Sequence, residues 1–440
     1  MSVRPDDFAR VVASQPRSSL ALKTTWTNSA RTTAATVVGQ APGFFVPLVV
    51  ARILGATSAT DAFFYAFAIV SFVLNALAGA TQSAFVPVLV YLDRARGRSL
   101  MAVVQSWSLV ATAVVIVILI LVPIGAHEAP RGTMVALLPF ALCAALASVW
   151  TGGLYAERWY IVAATTPAIR GLGVLATLWV FRDSIGIGAL FWGYTVAELA
   201  RVAVIGVYSH PPRFTWRIPE AIAADVVSFL RTGGAQAAGS ALVALMPVAD
   251  RYYAATLASG SVSLIDYADR VCQAPVGLLM SGFLVVSLAQ WSHDTASGDS
   301  LAVLRTRVFW NSALLFTVSI IPIALLIVFR HSVTVMLFGR SHLSPDDIGR
   351  LADTIGAFLL GIPILLAGLT YARAFLVLRR NDWLLKVSIA QLAGKVALNA
   401  VLAPRLGLAG LALSTAVVYT FASLAHLVRL HTMTARVDAR

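Results

Sequence analysis

The chain has 440 residues, 59% of them hydrophobic and only 12% charged, with a formal net charge of +13 and a mean hydropathy of +0.82. A water-soluble domain has no use for so much apolar sequence, and the repeated runs of roughly 20 apolar residues have the length needed to cross hydrocarbon as helices. The basic balance lacks an aromatic-interleaved patch, which excludes a nucleic-acid partner and points to an anionic membrane leaflet.

In chain order, residues 1–31 are polar, lack the apolar core of a cleavable signal, and carry Arg4, Arg10, Arg17, Lys23 and Arg31. They are predicted to be a cytoplasmic tail. Six spans follow at about 32–50, 62–91, 101–122, 134–154, 160–179 and 187–208, forming a unit over 32–209. A polar interruption at 210–231 begins with Pro211-Pro212. Its Ile218, Ile222, Val226, Phe229 and Leu230 share one helical face, which predicts an amphipathic helix at the membrane surface or, for its last turn, an extension of the next span. Spans at about 235–253, 265–290, 308–329, 351–378, 383–402 and 406–428 form a second unit over 232–430, and 431–440 is a short tail.

The expected fold is therefore all-α and polytopic, with about twelve transmembrane helices. Basic residues recur after even-numbered spans, at Arg94, Arg96 and Arg98, Arg213 and Arg217, Arg305 and Arg307, Arg379 and Arg380, and Arg429, Arg436 and Arg440. This places both termini in the cytoplasm.

Catalytic signatures are missing. Cys143 and Cys272 fall inside spans as packing residues, and His127, His210, His293, His331, His342, His426 and His431 have no metal-ligand spacing. There is no Walker loop and no Gly-x-Ser-x-Gly elbow, so neither a cofactor, a metal nor an enzymatic activity is predicted. The informative residues are charges inside apolar stretches, above all Arg270 in Asp266-Tyr-Ala-Asp269-Arg270. An arginine at mid-helix costs about 2.5 to 3.5 kcal/mol to insert, which packing alone does not justify. It marks a polar encounter within the membrane, or an ion pair with Asp269 or with Asp250-Arg251 on the preceding span. Lys395, in Gly394-Lys-Val-Ala-Leu-Asn399, is a further candidate cation; Arg170, Glu198, Arg201, Arg373 and Lys386 are the other charges within spans.

The two halves echo each other. Ala51-Arg-Ile-Leu-Gly-Ala56 leads through Asp61 into Ala-Phe-Phe-Tyr-Ala-Phe67, and Ala254-Ala-Thr-Leu-Ala-Ser-Gly-Ser-Val262 leads into Ile265-Asp-Tyr-Ala-Asp-Arg270. Such a repeat predicts two six-helix lobes around a central cavity, as in transporters that rock about a midplane site.

Ala51-Arg-Ile-Leu-Gly-Ala56, Ala59-Thr-Asp-Ala-Phe-Phe64 and Gln82-Ser-Ala-Phe-Val-Pro87, together with Leu257-Ala-Ser-Gly-Ser-Val-Ser263, Tyr267-Ala-Asp-Arg270 and Gly277, resemble the MurJ/MviN lipid II flippase family. The likeness runs from about residue 32 to 430, and members usually carry fourteen spans. It implies a bacterial inner-membrane protein that moves a polyprenyl-pyrophosphate-linked glycan, such as lipid II, from the inner to the outer leaflet, and cell-wall or polysaccharide synthesis enzymes as partners. It implies Arg270, Asp269 and Ser263 as substrate-binding residues and Asp61 as a gating or capping residue; the charges within spans, read on their own, add Lys395 as a candidate substitute cation in substrate binding and Asp250 and Arg251 as candidate gating or structural residues. This chain departs from the family where Gln40, Val46 and Pro47 replace two arginines and an acid, where Val70-Ser-Phe-Val-Leu-Asn75 replaces another arginine motif, and at Gln273. Those losses predict altered substrate preference. A small-molecule exporter of the same superfamily and a non-transporting scaffold for cell-wall synthesis are the alternative readings.

Overall fold

Apolar runs without water to satisfy their amides fold as helices, and no strand occurs among the described residues. The computed structural model describes residues 19–80, 85–121, 131–279, 291, 300–378 and 380–433. Arg4, Arg10, Arg17, Gln82, His127, His293, Arg379, Arg436 and Arg440 lie outside the described residues.

The first half contains α1 (Ser19–Leu54), α2 (Ser58–Ala80), α3 (Val86–Tyr91), α4 (Arg94–Leu121), α5 (Arg131–Ala156), α6 (Tyr160–Thr165), α7 (Pro167–Ile185) and α8 (Gly188–Ser209). The second contains α9 (Ala223–Ala254), α10 (Ser261–Leu279), α11 (Leu301–Val328), α12 (Arg330–Phe338), α13 (Pro345–Val377) and α14 (Asn381–Thr432). Helix α1 begins within the stretch predicted as tail. The fifth predicted span is broken at Thr166, where Pro167 opens α7 at a position whose missing N–H costs nothing. Helix α14 changes direction near Pro404 and at Gly407, whose φ of 59° and ψ of −138° are non-helical, at the junction predicted between the last two spans.

Nine of the described helices are long and apolar enough to cross a membrane. The expectation of about twelve differs because α14 counts once despite its break, and because α9 and α10 carry the charged and small residues that build the site. Outward faces of α4, α7, α8 and α11 present Ile118, Trp179, Trp192, Val207, Ile321 and Val328 to the surroundings, the apolar exposure expected of a lipid-facing belt.

The interval 210–231 is not a separate surface helix. His210 stops α8 in the left-handed region, the chain runs without regular structure to an extended Pro219, and a 3-10 turn at Glu220–Ile222 leads directly into α9. Ile222, Val226 and Phe229 are buried against Phe85, Leu100, Val103 and Val149, so this apolar face docks on the first half instead of on lipid. Arg96 binds Asp225 at 2.7 Å, and Gln105 Nε2 donates to the Pro212 carbonyl at 2.9 Å, fastening the connection.

Packing follows the halves. Helix α7 lies between α1 and α8, and α5 packs on α4, α8 and α2; in the second half α13 packs on α14, α11 and α10. The halves meet where α2 crosses α9 and α10 and where α1 meets α10. A continuous core of Phe63, Phe64, Tyr267, Phe338 and Ile355 seals one end of that seam.

Candidate functional site

Between the halves lies a cavity of about 1100 Å³ whose lining comes from both. Its charged lining, among the described residues, is Arg170, Arg201, Arg251 and Arg270 with Asp266 and Asp269. Two clusters hold these groups, one on each side.

The second-half cluster is built by α9 and α10. The four-residue spacing of Asp266 and Arg270 puts them one helical turn apart on α10, and Arg270 Nε donates to Asp266 Oδ2 at 3.2 Å. Arg251, which closes the last turn of α9, reaches across to Asp266 at 2.8 Å and Asp269 at 3.1 Å. Two guanidinium groups thus face two carboxylates, and the cluster is electrically balanced. The predicted partner of Arg270 was Asp269 or Asp250-Arg251; it is Asp266. Arg270 and Asp269 both line the cavity, as expected of candidate binding residues.

The first-half cluster is built by α7 and α8. Arg170 grips Glu198 with Nε at 2.5 Å and Nη2 at 3.0 Å, and Arg201 donates from Nη1 to the same carboxylate at 2.8 Å. Glu198 is completely buried while Arg170 retains 32% exposure. The Glu198–Arg201 pair, one turn apart, was legible in sequence. That Arg170 joins it and that both arginines face the cavity was not, since only the packing of α7 on α8 brings them together.

Aromatic rings connect the clusters. Arg170 lies 5.5 Å from the Phe140 ring centre, Phe140 stacks on Phe67 at 5.7 Å, and Arg270 lies 5.8 Å from the other member of that stack, Phe67. Tyr194 packs against both phenylalanines, at 4.7 and 5.4 Å. An aromatic floor therefore carries an arginine at each edge, where ring faces favour cations.

Asp61 and Ser263 lie elsewhere, at the sealed end of the seam. Asp61, in the first turn of α2, directs its carboxylate at the start of α10: Oδ2 accepts from the Gly260 amide at 2.6 Å, and Oδ1 accepts from the Ser263 amide at 2.8 Å and its hydroxyl at 2.7 Å. It caps a helix of the opposite half, satisfying amides that have no intrahelical acceptor. Ser263 also donates to Thr60 Oγ1 at 2.8 Å and is fully buried in this junction, outside the cavity lining where the other candidate binding residues Arg270 and Asp269 lie. Tyr267 donates to the Gly55 carbonyl at 2.8 Å, and the His342 amide to the Ala51 carbonyl at 3.2 Å. The echoed turns meet here: Gly55 and Gly260 have φ of 69° and 88°, and a Cβ on Gly260 would stand 2.9 Å from the Ala56 carbonyl oxygen.

Lys395 also departs from its expected role. It is 1% exposed and is not among the residues lining the cavity, its ammonium held by Asp250 at 2.7 Å, the Leu411 carbonyl at 3.0 Å, Ser414 Oγ at 2.9 Å and Thr415. Asn399 donates to Asp250 at 2.8 Å and accepts from Ser414. This closed cluster ties α9 to both limbs of α14, with Lys395 the counter-ion of Asp250. Of the family's replaced positions, Gln40, Val46 and Asn75 line the cavity, Val46 with only 4% exposure, whereas Val73 is packed outside the lining at 5%.

Comparison with known proteins sets these features in context. The family model "Lipid II flippase MurJ" matches residues 50–436. A lipid II flippase MurJ from Burkholderia cenocepacia is 24% identical over 419 residues, covering 87% of this chain and 79% of the relative. A probable lipid II flippase MurJ from Buchnera aphidicola subsp. Schizaphis graminum is 23% identical over 71% of this chain, which spans 65% of that relative's length. Among solved structures, lipid II flippase MurJ in an inward closed conformation superposes with a TM-score of 0.78 at 18% identity, covering 92% of this chain and 88% of the other. An inward-facing multidrug resistance MATE family transporter of the MOP superfamily superposes at 0.68 with 15% identity, covering 92% and 93%. At these identities the superpositions speak to the fold.

Proposed function

The chain belongs to the lipid II flippase MurJ family, and from that premise we propose that it carries a polyprenyl-pyrophosphate-linked glycan, the chemistry of lipid II, from the inner to the outer leaflet. The observation that carries the reading is the cavity's charge: four arginines against two aspartates line it, inside a membrane-spanning chain. A pyrophosphate crosses hydrocarbon only if fixed cations replace its hydration, and the planar guanidinium fork matches phosphate oxygens.

Movement follows by alternating access of two six-helix lobes. The Asp61 latch holds the seam shut at the end that the Lys/Arg asymmetry assigns to the outside, with both termini cytoplasmic. Cargo then enters from the cytoplasmic side, and release requires the latch to part while the Lys395–Asp250 cluster keeps α9 and α14 together. The partners expected are the enzymes that make and consume such lipids in the bacterial inner membrane. Export of a cationic drug, the alternative suggested by the superfamily fold, is disfavoured because Asp266 and Asp269 are each engaged by arginine.

The test is rescue of a bacterium depleted of its own lipid II flippase. Expression of the chain should relieve the build-up of lipid-linked precursor, in part because Gln40 withholds one family cation, and Gln40→Arg should improve the rescue. Precursor accumulating as in cells with an empty vector, with the chain present in the membrane, would contradict the reading.

A further inference from the structure

Resting on that reading, we infer that Arg170 and Arg201, braced by Glu198, are the cavity's pyrophosphate-binding pole, so that α7 and α8 supply what α1 and α2 have lost.

The argument starts from charge. On the second-half wall Arg251 and Arg270 are matched by Asp266 and Asp269, leaving no excess. On the first-half wall two guanidinium groups share the single carboxylate of Glu198, leaving one positive charge. An anion entering the cavity gains most where the excess lies, and most strongly away from bulk water.

Geometry agrees. Arg170 spends Nε and Nη2 on Glu198, while its side chain remains 32% exposed on the cavity and its Nη1 is not among those two contacts. Arg201 spends Nη1 on the same carboxylate, and its Nε is buried without a hydrogen-bond partner among the described residues. An orphan guanidinium N–H in a low-dielectric site is costly unless a ligand oxygen completes it; Arg251 Nε on the second-half wall is likewise unpartnered among the described residues, so it is the excess charge that singles out the first-half pair. Glu198, fully buried, orients both forks as a shared brace and is a positioning residue. The Phe140 ring lies beneath Arg170, 5.5 Å from its guanidinium carbon, where a ring face favours a cation.

Gln40 and Asn75, where the family places or brackets cations, line the same cavity without charge. The excess positive charge of this chain therefore sits on α7 and α8, neighbours of α1 in the same half.

The experiment measures binding of a polyprenyl pyrophosphate to the full chain in nanodiscs, with inorganic pyrophosphate and the uncharged polyprenol as parallel probes. Arg170→Gln leaves Glu198 paired with Arg201 and should weaken binding of both pyrophosphates about tenfold or more, with little change for the polyprenol. Arg170→Lys should recover part. Glu198→Gln should tighten binding, because it adds one net positive charge, whereas a purely structural role gives no such gain. Arg270→Gln should matter less than Arg170→Gln. Weakening confined to polyprenyl pyrophosphate would assign the site to the lipid headgroup, and weakening of both to pyrophosphate itself; either supports the inference. Binding unchanged in Arg170→Gln but lost in Arg270→Gln would overturn the inference and leave the proposed function standing. A folded wild-type chain that binds neither pyrophosphate would contradict both.

Discussion

Replacing Asp61 by alanine removes one carboxylate and three donors' acceptor at once: the Gly260 amide, the Ser263 amide and the Ser263 hydroxyl, at 2.6, 2.8 and 2.7 Å. Hydrogen bonds to a charged group contribute about 1.5 to 3 kcal/mol each, and three sharing one carboxylate are not additive, so a total of about 3 to 5 kcal/mol is reasonable. When the seam opens, water replaces those donors, so the loss falls mainly on the closed state. At about 1.4 kcal/mol per tenfold change, the closed-to-open ratio should fall by roughly two to three powers of ten. The remaining contacts, Tyr267 to Gly55 and His342 to Ala51, continue to favour closure, so the opened population becomes measurable without the protein coming apart. Spin labels at the exposed positions Ala59 and Ser259, read by pulsed electron resonance in nanodiscs, report the separation of the two turns. The expected result is a single short distance in the parent and a second, longer component in Asp61→Ala, with Asp61→Asn between them. A distance distribution unchanged by Asp61→Ala would refute the latch argument.

Three further outcomes are expected. Arg270→Ala should lower transport at least tenfold with undiminished membrane insertion, and Arg270→Lys should restore only part, since a point charge loses the fork that meets Asp266; transport at the parental rate would leave Arg270 a packing residue. Lys395→Met strands the buried Asp250 carboxylate at a cost of about 3 to 5 kcal/mol and should lower the thermal midpoint in detergent by several degrees, while Asp250→Asn with Lys395→Met should recover most of it; equal midpoints for the single and double variants would contradict the ion-pair assignment. Cysteines introduced singly at Arg96 and Arg340 should react with an impermeant maleimide only from the cytoplasm and only from outside, respectively, and the reverse pattern would invert the topology.

Helices and their ends were largely legible because lipid imposes one rule, an uninterrupted apolar run, and punctuation such as Pro404 and Gly407 is local. Contacts across the halves were not. Asp61 reaches Gly260 over a separation of 199 residues, and nothing in hydropathy distinguishes a carboxylate that caps its own helix from one that caps another. Lys395 and Arg170 look alike as cations within spans, yet one is sealed by Asp250, Ser414 and Thr415 and the other edges the cavity. Their difference depends on helix rotation and on what the neighbouring helix offers. Arg270 and Asp269, singled out by the likeness to a known family, line the cavity, but that likeness points to the missing arginines of α1 and α2 and says nothing of those on α7 and α8. Ser263 shows the same limit: its motif sits beside the cavity residues in sequence, yet two turns of helix before Arg270 put it at the sealed end of the seam.

Translocation itself is the most direct measurement. The purified chain in liposomes, given a fluorescent polyprenyl-pyrophosphate disaccharide, should speed exchange of the label between leaflets well above protein-free vesicles. Arg170→Gln and Arg270→Ala should each slow that exchange, and a polyprenyl glycan lacking the pyrophosphate should gain little from the protein. Exchange no faster than in empty vesicles, or equally fast for the uncharged lipid, would contradict the account.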